Sequence, residues 1–574
     1  MDDWGLVIQP YFKWIDGEGF WSFLRSVGND SRHDAVQWVH ALVIKQWSWD
    51  PVLESLLCVG LGGVAVAVTV DWWTKRQKFR YAEVAAGLLG VFLMLSPAQW
   101  MNWSWGIQLC YMMPVAATLL MFWVLNQNRL FSVRVIIAIL LSWIAVFSFA
   151  NGWLAVVLGG ALLLWKVARK NWSRAGVGAV MIWLASSVNA GWVYASGWPK
   201  SKGIGDSGLF TTLINEPLAA ASFFAKVLGA PLADIHVTAA RSERVAVQDW
   251  VSVGVTVAAL AVLAASLIHL WRRRSSLSEK EVAPWIMLVL LGLGNAMAVT
   301  LARMGEGGHG PFHSRYPAFT GWFFLGLLGL LTLTQGRSWR RVTILSLVLM
   351  GIGTAFGTVQ GWMDVERMKR HGYSMEAAVA LRKVAPEPVF LAATRPWNTQ
   401  QNVGLLDRLE LEGLLHVKTI PSENVSDAPQ ASKEGVKGQL TGAEAVKGGV
   451  RVIGWAFNAQ TLGPVRAVAL SYQTPGGEEK WLGIASRFTV MHNKAEKEGA
   501  RVHEDRIGWV YEPLSGEEKT FMVAAPLGLK RRELPQGELM IRAYAFDPLK
   551  GLVTPLSGTK SVVLPKLDVA TPRE

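Results

Sequence analysis

Long apolar runs recur along the first 360 residues of the chain. A run of about 18 apolar residues is long enough for a helix that crosses a hydrocarbon layer roughly 30 Å thick. Because lipid offers the backbone no hydrogen-bond partners, such runs are typical of transmembrane helices. The sequence therefore predicts an α-helical polytopic membrane protein with about ten crossing helices, at residues 52–70, 82–96, 107–125, 135–150, 152–165, 175–194, 251–271, 284–302, 317–334 and 341–360.

The composition agrees with this fold class and excludes others. Hydrophobic residues make up 51% of the 574 positions and charged residues only 17%, which is unlike a soluble protein. The net charge of +13 would suggest nucleic-acid binding in a soluble chain, but many of the basic residues lie in short loops between apolar runs, where they orient helices. We therefore exclude nucleic acid as a partner and expect a lipid bilayer.

Basic residues are distributed unequally between alternate linkers. Five linkers, at 71–81, 126–134, 166–174, 272–283 and 335–341, hold seventeen Lys and Arg residues, whereas the alternate linkers hold seven. The positive-inside rule places the first set in the cytoplasm. With ten crossings both termini lie outside, so we expect a multi-pass protein of the cell (inner) membrane with an extracytoplasmic C-terminal domain.

Residues 1–51 form an outer segment under this topology. They contain no apolar helix to start translocation and no signal-peptide pattern. Either a helix is missing before them, or the first crossing helix draws this short segment across the membrane. Residues 35–47 predict an interfacial helix that lies flat on the outer surface, with Val36, Val39 and Val43 on one side and His33, Gln37 and His40 on another.

The composition changes after residue 360. Residues 361–433 are a mixed segment, in which Gly372 and Ser374 predict a broken helix and residues 421–433 predict a linker. Residues 434–567 show seven or so strand patterns between glycine-rich turns, which predict a β-sandwich before a tail at 568–574. Its aromatic residues form either a sandwich core, which their alternation favours, or a glycan platform: Trp455, Tyr472, Trp481, Trp509, Tyr511 and Tyr544.

An acidic pair followed by an aromatic residue, Asp2, Asp3 and Trp4, lies at the N-terminus. A solvated terminus is the ordinary explanation of such a pair. The functional alternative is a carboxylate base, because group transfer to an alcohol needs a group that takes the hydroxyl proton. Under that alternative Trp4 stacks on a sugar ring.

Residues 99–108 mix amides with tryptophans at a predicted outer membrane boundary. Interfacial anchoring explains the tryptophans by itself. It does not explain Gln99, Asn102 and Gln108, whose amides offer directional donors and acceptors beside flat apolar faces, as a hydroxylated ligand requires. The expected sugar or acceptor ligands here are Trp100, Asn102, Trp103, Trp105 and Gln108.

Cations in residues 303–316 run against the charge bias of the other linkers. Snorkelling explains Arg303 and Arg315 as surface groups, but arginine also chelates phosphate oxygens bidentately, and we favour a phosphate site. Arg32 and His33 follow a capping turn and are candidates for the same headgroup. The expected donor-phosphate ligands are Arg303, Arg315, His313, Arg32 and His33.

His309 and His313 lie four residues apart in the same segment. Gly310 and Pro311 interrupt any helix there, so we do not expect this pair to bind a metal. We assign His309 to the sugar or acceptor instead, and we assign no metal ligand in the chain.

The order of these features resembles bacterial polytopic membrane proteins of the GT-C glycosyltransferase superfamily, particularly the surface-polysaccharide type of the cell envelope. The resemblance rests on residues 2–4, 29–33, 99–108, 151–152 and 314–316, and it spans most of residues 1–360. In that superfamily the acidic motif follows the first helix directly, and one carboxylate acts as base. Asp2 and Asp3 occupy that place here, although the preceding helix is absent from this sequence. The tail looks like the carbohydrate-binding modules of some arabinosyltransferases of the superfamily.

The resemblance implies a glycosyltransferase that uses a polyprenyl-phosphate sugar, because an outward-facing site lacks nucleotide sugars. The acceptor is then a hydroxyl on a glycan, a lipid or a protein at the outer face, and the transfer inverts the anomeric carbon. No fixed cofactor is expected, although the site chemistry is compatible with a divalent cation. The alternative is a non-catalytic transporter or assembly partner for lipid-linked saccharides.

Overall fold

A computed structural model describes residues 7–25, 27–28, 31–48, 50–74, 81–127, 133–169, 172–196, 213–233, 241–273, 278–304, 312, 314–334, 336–384, 399–432, 435–446, 449–460, 465–473, 476–487, 508–511 and 537–564. The chain divides into two compact units, of which the first ends at Val365 and the second begins at Glu366. We call them the helical unit and the C-terminal unit.

The helical unit begins with short elements and continues with long apolar helices. The short elements are Gln9–Lys13, the π-helical turn Trp14–Glu18, Phe20–Leu24 and the two-strand pair Val27–Gly28 with Ser31–Arg32. The helices that follow are Asp34–Trp47, Pro51–Thr74, Tyr81–Met94, Trp100–Ser104, Leu109–Leu125, Val133–Val146, Trp153–Arg169, Arg174–Ser196, Pro217–Ala233, Arg241–Arg272, Glu279–Arg303, Pro317–Leu333 and Arg337–Ala380. Single 3-10 turns lie at Pro97–Gln99, Gly106–Gln108 and Ala150–Gly152.

Within the described residues, eight helices are long and apolar enough to cross a membrane. They correspond to eight of the ten predicted runs, so the helical membrane character of the chain is confirmed. The other two predicted runs form the shorter helices Val133–Val146 and Pro317–Leu333. The count of ten crossings and the orientation remain predictions.

The apolar helix Pro217–Ala233 was not predicted. Its 17 residues include Lys226 and Pro231, which lower the apolar character of any window long enough for a crossing helix. In the structure the Lys226 ammonium pairs with the Asp249 carboxylate at 2.7 Å, so the charge that weakens the sequence pattern is balanced by the next helix.

Glycines allow two central helices to pack closely. The Pro317–Leu333 helix is buried along nearly its whole length. A Cβ atom at Gly329 would lie 2.1 Å from the Trp285 ring, and one at Gly292 would lie 2.4 Å from the Phe323 nitrogen. Close approach through small residues is the usual way in which membrane helices associate, since lipid removes the hydrophobic drive between them.

The C-terminal unit starts inside a continuous helix. The predicted break at Gly372 and Ser374 is wrong, because Arg337–Ala380 is helical throughout. A glycine inside a helix costs only about 1 kcal/mol, which tertiary packing can offset. Beyond it, the buried Arg382 guanidinium bonds to Asp407, Glu410 and the Thr419 hydroxyl, and thereby ties this helix end to the Thr399–Leu411 helix.

An antiparallel sheet forms the rest of this unit. In spatial order its strands are Lys560–Leu564, Gly537–Asp547, Ala467–Gln473, Glu479–Arg487, Gly508–Tyr511, Gly449–Asn458 and Val436–Val446, and Leu552–Pro555 pairs with Gly537–Asp547. The Leu440 N–H donates to the Ser557 carbonyl at 2.8 Å, which brings the two ends of the strand order together. The predicted C-terminal β region is therefore confirmed as a sheet with its own core, around Leu470, Leu482 and Ile541.

The segment predicted as a linker packs on this sheet. Residues 421–432 include a 3-10 turn at Val425–Asp427, and the Val553 N–H donates to the Pro429 carbonyl at 3.0 Å. Trp455, Trp481 and Tyr544 are buried in the sheet unit, which favours the core interpretation of these aromatic residues. The side chains of Trp509 and Tyr511 lie outside the description.

Candidate active site

The Asp34–Trp47 helix turns its polar side inward. His33, Gln37 and His40, which recur along one side of the helix, are all buried. Val36 and Val43, which the sequence puts on a different side of the helix, are buried as well. The helix is therefore packed into the protein on both of these sides, and Trp38 and Leu42, each about half exposed, face outward.

His40 meets a carboxylate from the next helix. Its Nδ1 lies 2.5 Å from Oε1 of Glu54, and the two side chains are only 0% and 2% exposed. Glu54 stands in the first turn of the Pro51–Thr74 helix. A Cβ atom at Gly106 would lie 2.1 Å from the Glu54 Oε2 atom, so glycine at 106 leaves the space that this carboxylate occupies.

The polar stretch at residues 99–108 divides into structural and unsatisfied groups. The Gln99 amide donates to the carbonyls of Leu93 and Met94 at 3.1 Å, which caps the end of the Tyr81–Met94 helix. The Trp103 indole donates to the Ser96 carbonyl at 3.1 Å. Gln108 is 0% exposed, and neither polar atom of its amide has a hydrogen-bond partner in the described part of the chain. Trp100, Trp103 and Trp105 are half-buried.

Arg315 lies inside the protein beside this stretch. The Asn102 amide donates to the Arg315 carbonyl at 3.2 Å, and an Arg315 guanidinium nitrogen lies 3.4 Å from the Tyr111 hydroxyl. The residue is 8% exposed, whereas a snorkelling arginine would reach water. Arg303 is also near enough to interact electrostatically with Tyr111. The structure therefore places Arg303 and Arg315, two of the five expected phosphate ligands, near the Tyr111 phenol.

Arg32 and His33 have structural partners in this structure. The Arg32 guanidinium pairs with Asp34, donates to the Val193 carbonyl at 2.5 Å and lies over the Phe147 ring. His33 Nδ1 lies 2.9 Å from the Ser148 carbonyl. Both residues connect the Asp34–Trp47 helix to later helices, so binding a headgroup would require them to exchange these contacts.

A continuous chain of contacts joins these groups into what we call the buried polar site. His33 lies 5.8 Å from Phe149 and Phe149 lies 4.7 Å from Tyr111, ring centroid to ring centroid. Tyr111 then leads to Arg315 and Asn102, and the turn Gly106–Gln108 leads to Glu54 and His40. The site comprises His33, Gln37, His40, Glu54, Asn102, Gln108, Tyr111, Ser314 and Arg315.

Several buried atoms of the site have no hydrogen-bond partner among the described residues. They are His40 Nε2, Asn102 Oδ1, both amide atoms of Gln108 and the Ser314 hydroxyl. Leaving a buried polar group unpaired costs about 1 to 3 kcal/mol, so proteins rarely collect such groups without a use for them. Within the part of the chain that the structure describes, no three His, Cys, Asp or Glu side chains are arranged to hold a metal.

Glu54 and Tyr111 were not selected as site residues by the sequence analysis. Five other expected site residues cannot be compared with the structure. A carboxylate inside an apolar run is expensive, and this signal alone could have singled out Glu54. Tyr111 has no such signal. Asp2, Asp3, Trp4, His309 and His313 lie outside the described residues. The Asn151 amide donates to the Asn295 amide oxygen at 2.9 Å, which joins two of the helical segments.

The C-terminal unit has a polar cleft of about 530 Å³. Glu479 lies in it and accepts hydrogen bonds from Tyr544 at 2.6 Å, from Arg542 at 3.1 Å and from Ser471. Burial, followed by the bond to Glu479, raises the pKa of Tyr544 above its usual range. The cleft is also lined by Asn424, Ser426 and Gln430, which carry amide and hydroxyl groups.

Comparison of the chain with protein-family models, with curated proteins and with solved structures finds no match. Its chemistry therefore has to be argued from its own residues. What those residues form is a helical unit of membrane-crossing length with a buried polar site, followed by a C-terminal unit built on an antiparallel sheet.

Proposed function

We propose that the protein is a membrane glycosyltransferase that moves a sugar from a polyprenyl-phosphate donor to an acceptor hydroxyl. The observation that carries this proposal is the set of unpartnered buried polar atoms in the buried polar site, where Asn102 and Ser314 adjoin Arg315. Imidazole, amide and hydroxyl groups match the hydroxyls of a sugar, and a guanidinium matches a phosphate. One site that offers both suits a sugar linked to a phosphate.

The membrane setting supports a lipid-linked donor. The residues of the buried polar site lie near ends of apolar helices that the positive-inside rule puts on the outer side. A polyprenyl chain can lie between such helices while its phosphate and sugar stand at the interface. The acceptor on this side is a glycan, a lipid or a protein.

The proposed reaction is a single inverting displacement. The acceptor oxygen attacks the anomeric carbon, its O–H bond breaks, and the bond from that carbon to the phosphate oxygen breaks with the electron pair leaving on the phosphate. Arg315, helped by Arg303, stabilises the charge that grows on the departing phosphate. By the superfamily resemblance Asp2 or Asp3 takes the proton, and Trp100, Trp103 and Trp105 contact sugar or acceptor.

For the C-terminal unit we propose glycan binding at the cleft around Glu479. Its lining carries amide and hydroxyl groups, the carboxylates of Glu478 and Glu479 and the Arg542 guanidinium, which pairs with Glu479. Neutral polyhydroxylated ligands suit such a lining better than ions do. A module that holds the polysaccharide acceptor would raise its local concentration at the membrane.

The test uses the purified full chain in phosphatidylcholine nanodiscs. We expect transfer to methyl glycosides from some member of a panel of undecaprenyl-phosphate hexoses and pentoses, and none from nucleotide sugars. The Asp2→Asn, Asp3→Asn double variant tests the assignment of the base. If proteoliposomes instead move the lipid-linked sugar across the bilayer without any transfer, the non-catalytic transporter is the correct function.

A further inference from the structure

The His40–Glu54 pair lies in the buried polar site, and the proposed mechanism assigns it no part in moving a proton. The two side chains come from consecutive helices, Asp34–Trp47 and Pro51–Thr74, and are almost completely buried. A carboxylate placed there costs several kcal/mol of solvation unless a partner compensates it. His40 supplies that partner at 2.5 Å.

The chemistry of the pair sets the direction of its hydrogen bond. An ionised carboxylate can only accept, so Nδ1 of His40 carries the proton that it shares with Glu54. The other ring nitrogen, Nε2, then has a lone pair and is a proton acceptor. Nε2 is buried and has no partner among the described residues. A carboxylate that orients an imidazole, together with an unused Nε2, is the arrangement that proteins use to hold a general base in position.

The surroundings of the pair connect it to ligand-binding groups. Glu54 Oε2 lies against Gly106, in the same 3-10 turn that carries the unpartnered amide of Gln108. This turn leads directly into the helix of Tyr111, which contacts Arg315. The pair is therefore connected to Arg315 through the Gly106–Gln108 turn and the helix that follows it.

We propose that His40 is the proton acceptor of the transfer reaction and that Glu54 positions it. This inference rests on the proposed function, and it competes with the assignment of the base to Asp2 or Asp3. When the acceptor oxygen bonds to the anomeric carbon, its proton passes to Nε2 of His40. Glu54 then balances the positive imidazolium, and the phosphate leaves with the electron pair of the broken bond.

A purely structural ion pair predicts a different behaviour. A packing device has no reason to leave Nε2 unpaired, and its removal should change stability without changing the chemical step. Loss of a base lowers kcat and leaves donor binding unchanged.

The experiment measures transfer in the nanodisc assay with the variants His40→Gln and Glu54→Gln. We expect His40→Gln to lower kcat at least 100-fold with little change in KM for the donor. Glu54→Gln should lower kcat less, because Nε2 remains. His269→Gln, which alters an imidazole packed 4.9 Å from Trp339, and Asp71→Asn, which alters a carboxylate bonded to Trp123, are the matched controls and should keep wild-type rates.

Folding is checked by a readout that does not depend on transfer. Each variant is titrated with undecaprenyl phosphate, with undecaprenol as the neutral control, and its thermal unfolding is recorded. If His40→Gln is too unstable, Gly106→Ala gives a second test. Its methyl group would lie 2.1 Å from Glu54 Oε2, so the carboxylate has to move, although neither His40 nor Glu54 is substituted. Nitrogen NMR of histidine-labelled protein reports whether Nδ1 of His40 carries the proton and whether Glu54→Gln changes that tautomer.

The outcomes separate this inference from the proposed function. Wild-type transfer with unchanged kcat in His40→Gln overturns the inference alone, as does a tautomer with the proton on Nε2. Loss of transfer only in the Asp2→Asn, Asp3→Asn double variant returns the role of base to the acidic pair. A wild-type chain that neither binds undecaprenyl phosphate nor transfers sugar overturns the proposed function, and the inference with it.

Discussion

Polar groups are buried in both units of this protein, but they are satisfied very differently. In the C-terminal unit the Glu479 carboxylate accepts from Ser471, Tyr544 and Arg542, and the buried Arg382 guanidinium contacts Asp407 and Glu410. In the helical unit Gln108, equally buried, has neither amide atom paired within the described residues. A paired network stabilises the fold without any further partner, whereas an unpaired buried amide offers hydrogen bonds that a ligand can complete.

The largest expected effect is on the stability of the C-terminal unit when the hydrogen bonds to Glu479 are removed. Glu479→Ala should destabilise the C-terminal unit by about 3 kcal/mol, because it removes three hydrogen bonds and leaves the buried Ser471 hydroxyl and the Tyr544 phenol without their acceptor. Hydrogen exchange of the full chain, followed on the Gly537–Asp547 strand, measures the change. The adjacent Glu478→Ala is the control, since its side chain is 64% exposed and should cost less than about 1 kcal/mol.

The second prediction concerns Arg315. Arg315→Ala should weaken undecaprenyl phosphate binding by about 2 kcal/mol, roughly 30-fold, because it removes a charge-assisted phosphate contact. Binding of undecaprenol should stay the same. Arg337→Ala, at the start of another helix, is the matched control. Equal weakening by both substitutions would mean that only general surface charge attracts the lipid.

Gln108 gives the sharpest contrast with Glu479. Gln108→Met keeps the approximate length of the side chain but removes two unpaired polar atoms, so the ligand-free protein should become more stable by about 1 kcal/mol. Sugar transfer should fall at the same time. Thermal unfolding in nanodiscs with and without the donor measures both effects, and a destabilised ligand-free variant would show that Gln108 is structural.

The smallest effect is a pH dependence within the C-terminal unit. Burial, opposed in part by Arg466, raises the pKa of the Glu376 carboxyl above its ordinary value of 4.5. Since the folded state holds this proton more tightly, the contribution to stability is complete below pH 4.5 and is lost as the pH rises through the raised pKa. Glu376→Gln should flatten that slope by a few tenths of a kcal/mol, because the side chain is partly solvated. Unfolding midpoints between pH 4 and 7 test it, and an unchanged slope would contradict the assignment.

Much of the fold follows from local patterns. Eight of the ten apolar runs are helices of crossing length, and the strand patterns after residue 434 form the C-terminal sheet. Apolar length and strand alternation are properties of neighbouring residues, so they can be interpreted without knowing what the elements contact. The predicted break at Gly372 failed for the same reason, because a glycine penalty is local while the packing that overcomes it is not.

The residues of the candidate site, like the elements of the fold, were predicted only where local sequence patterns were sufficient. The sequence by itself selected Asn102, Gln108 and Arg315 as polar groups out of place among apolar residues, and it placed His33, Gln37 and His40 on one side of a helix. Only the tertiary structure decided that this side faces inward, that Glu54 meets His40, and that the Gln99 amide caps a helix while the Gln108 amide is left unpaired. Hydrogen bonds between separate helices depend on how far apart their side chains lie in space. The periodicity of residues along the sequence does not determine that distance.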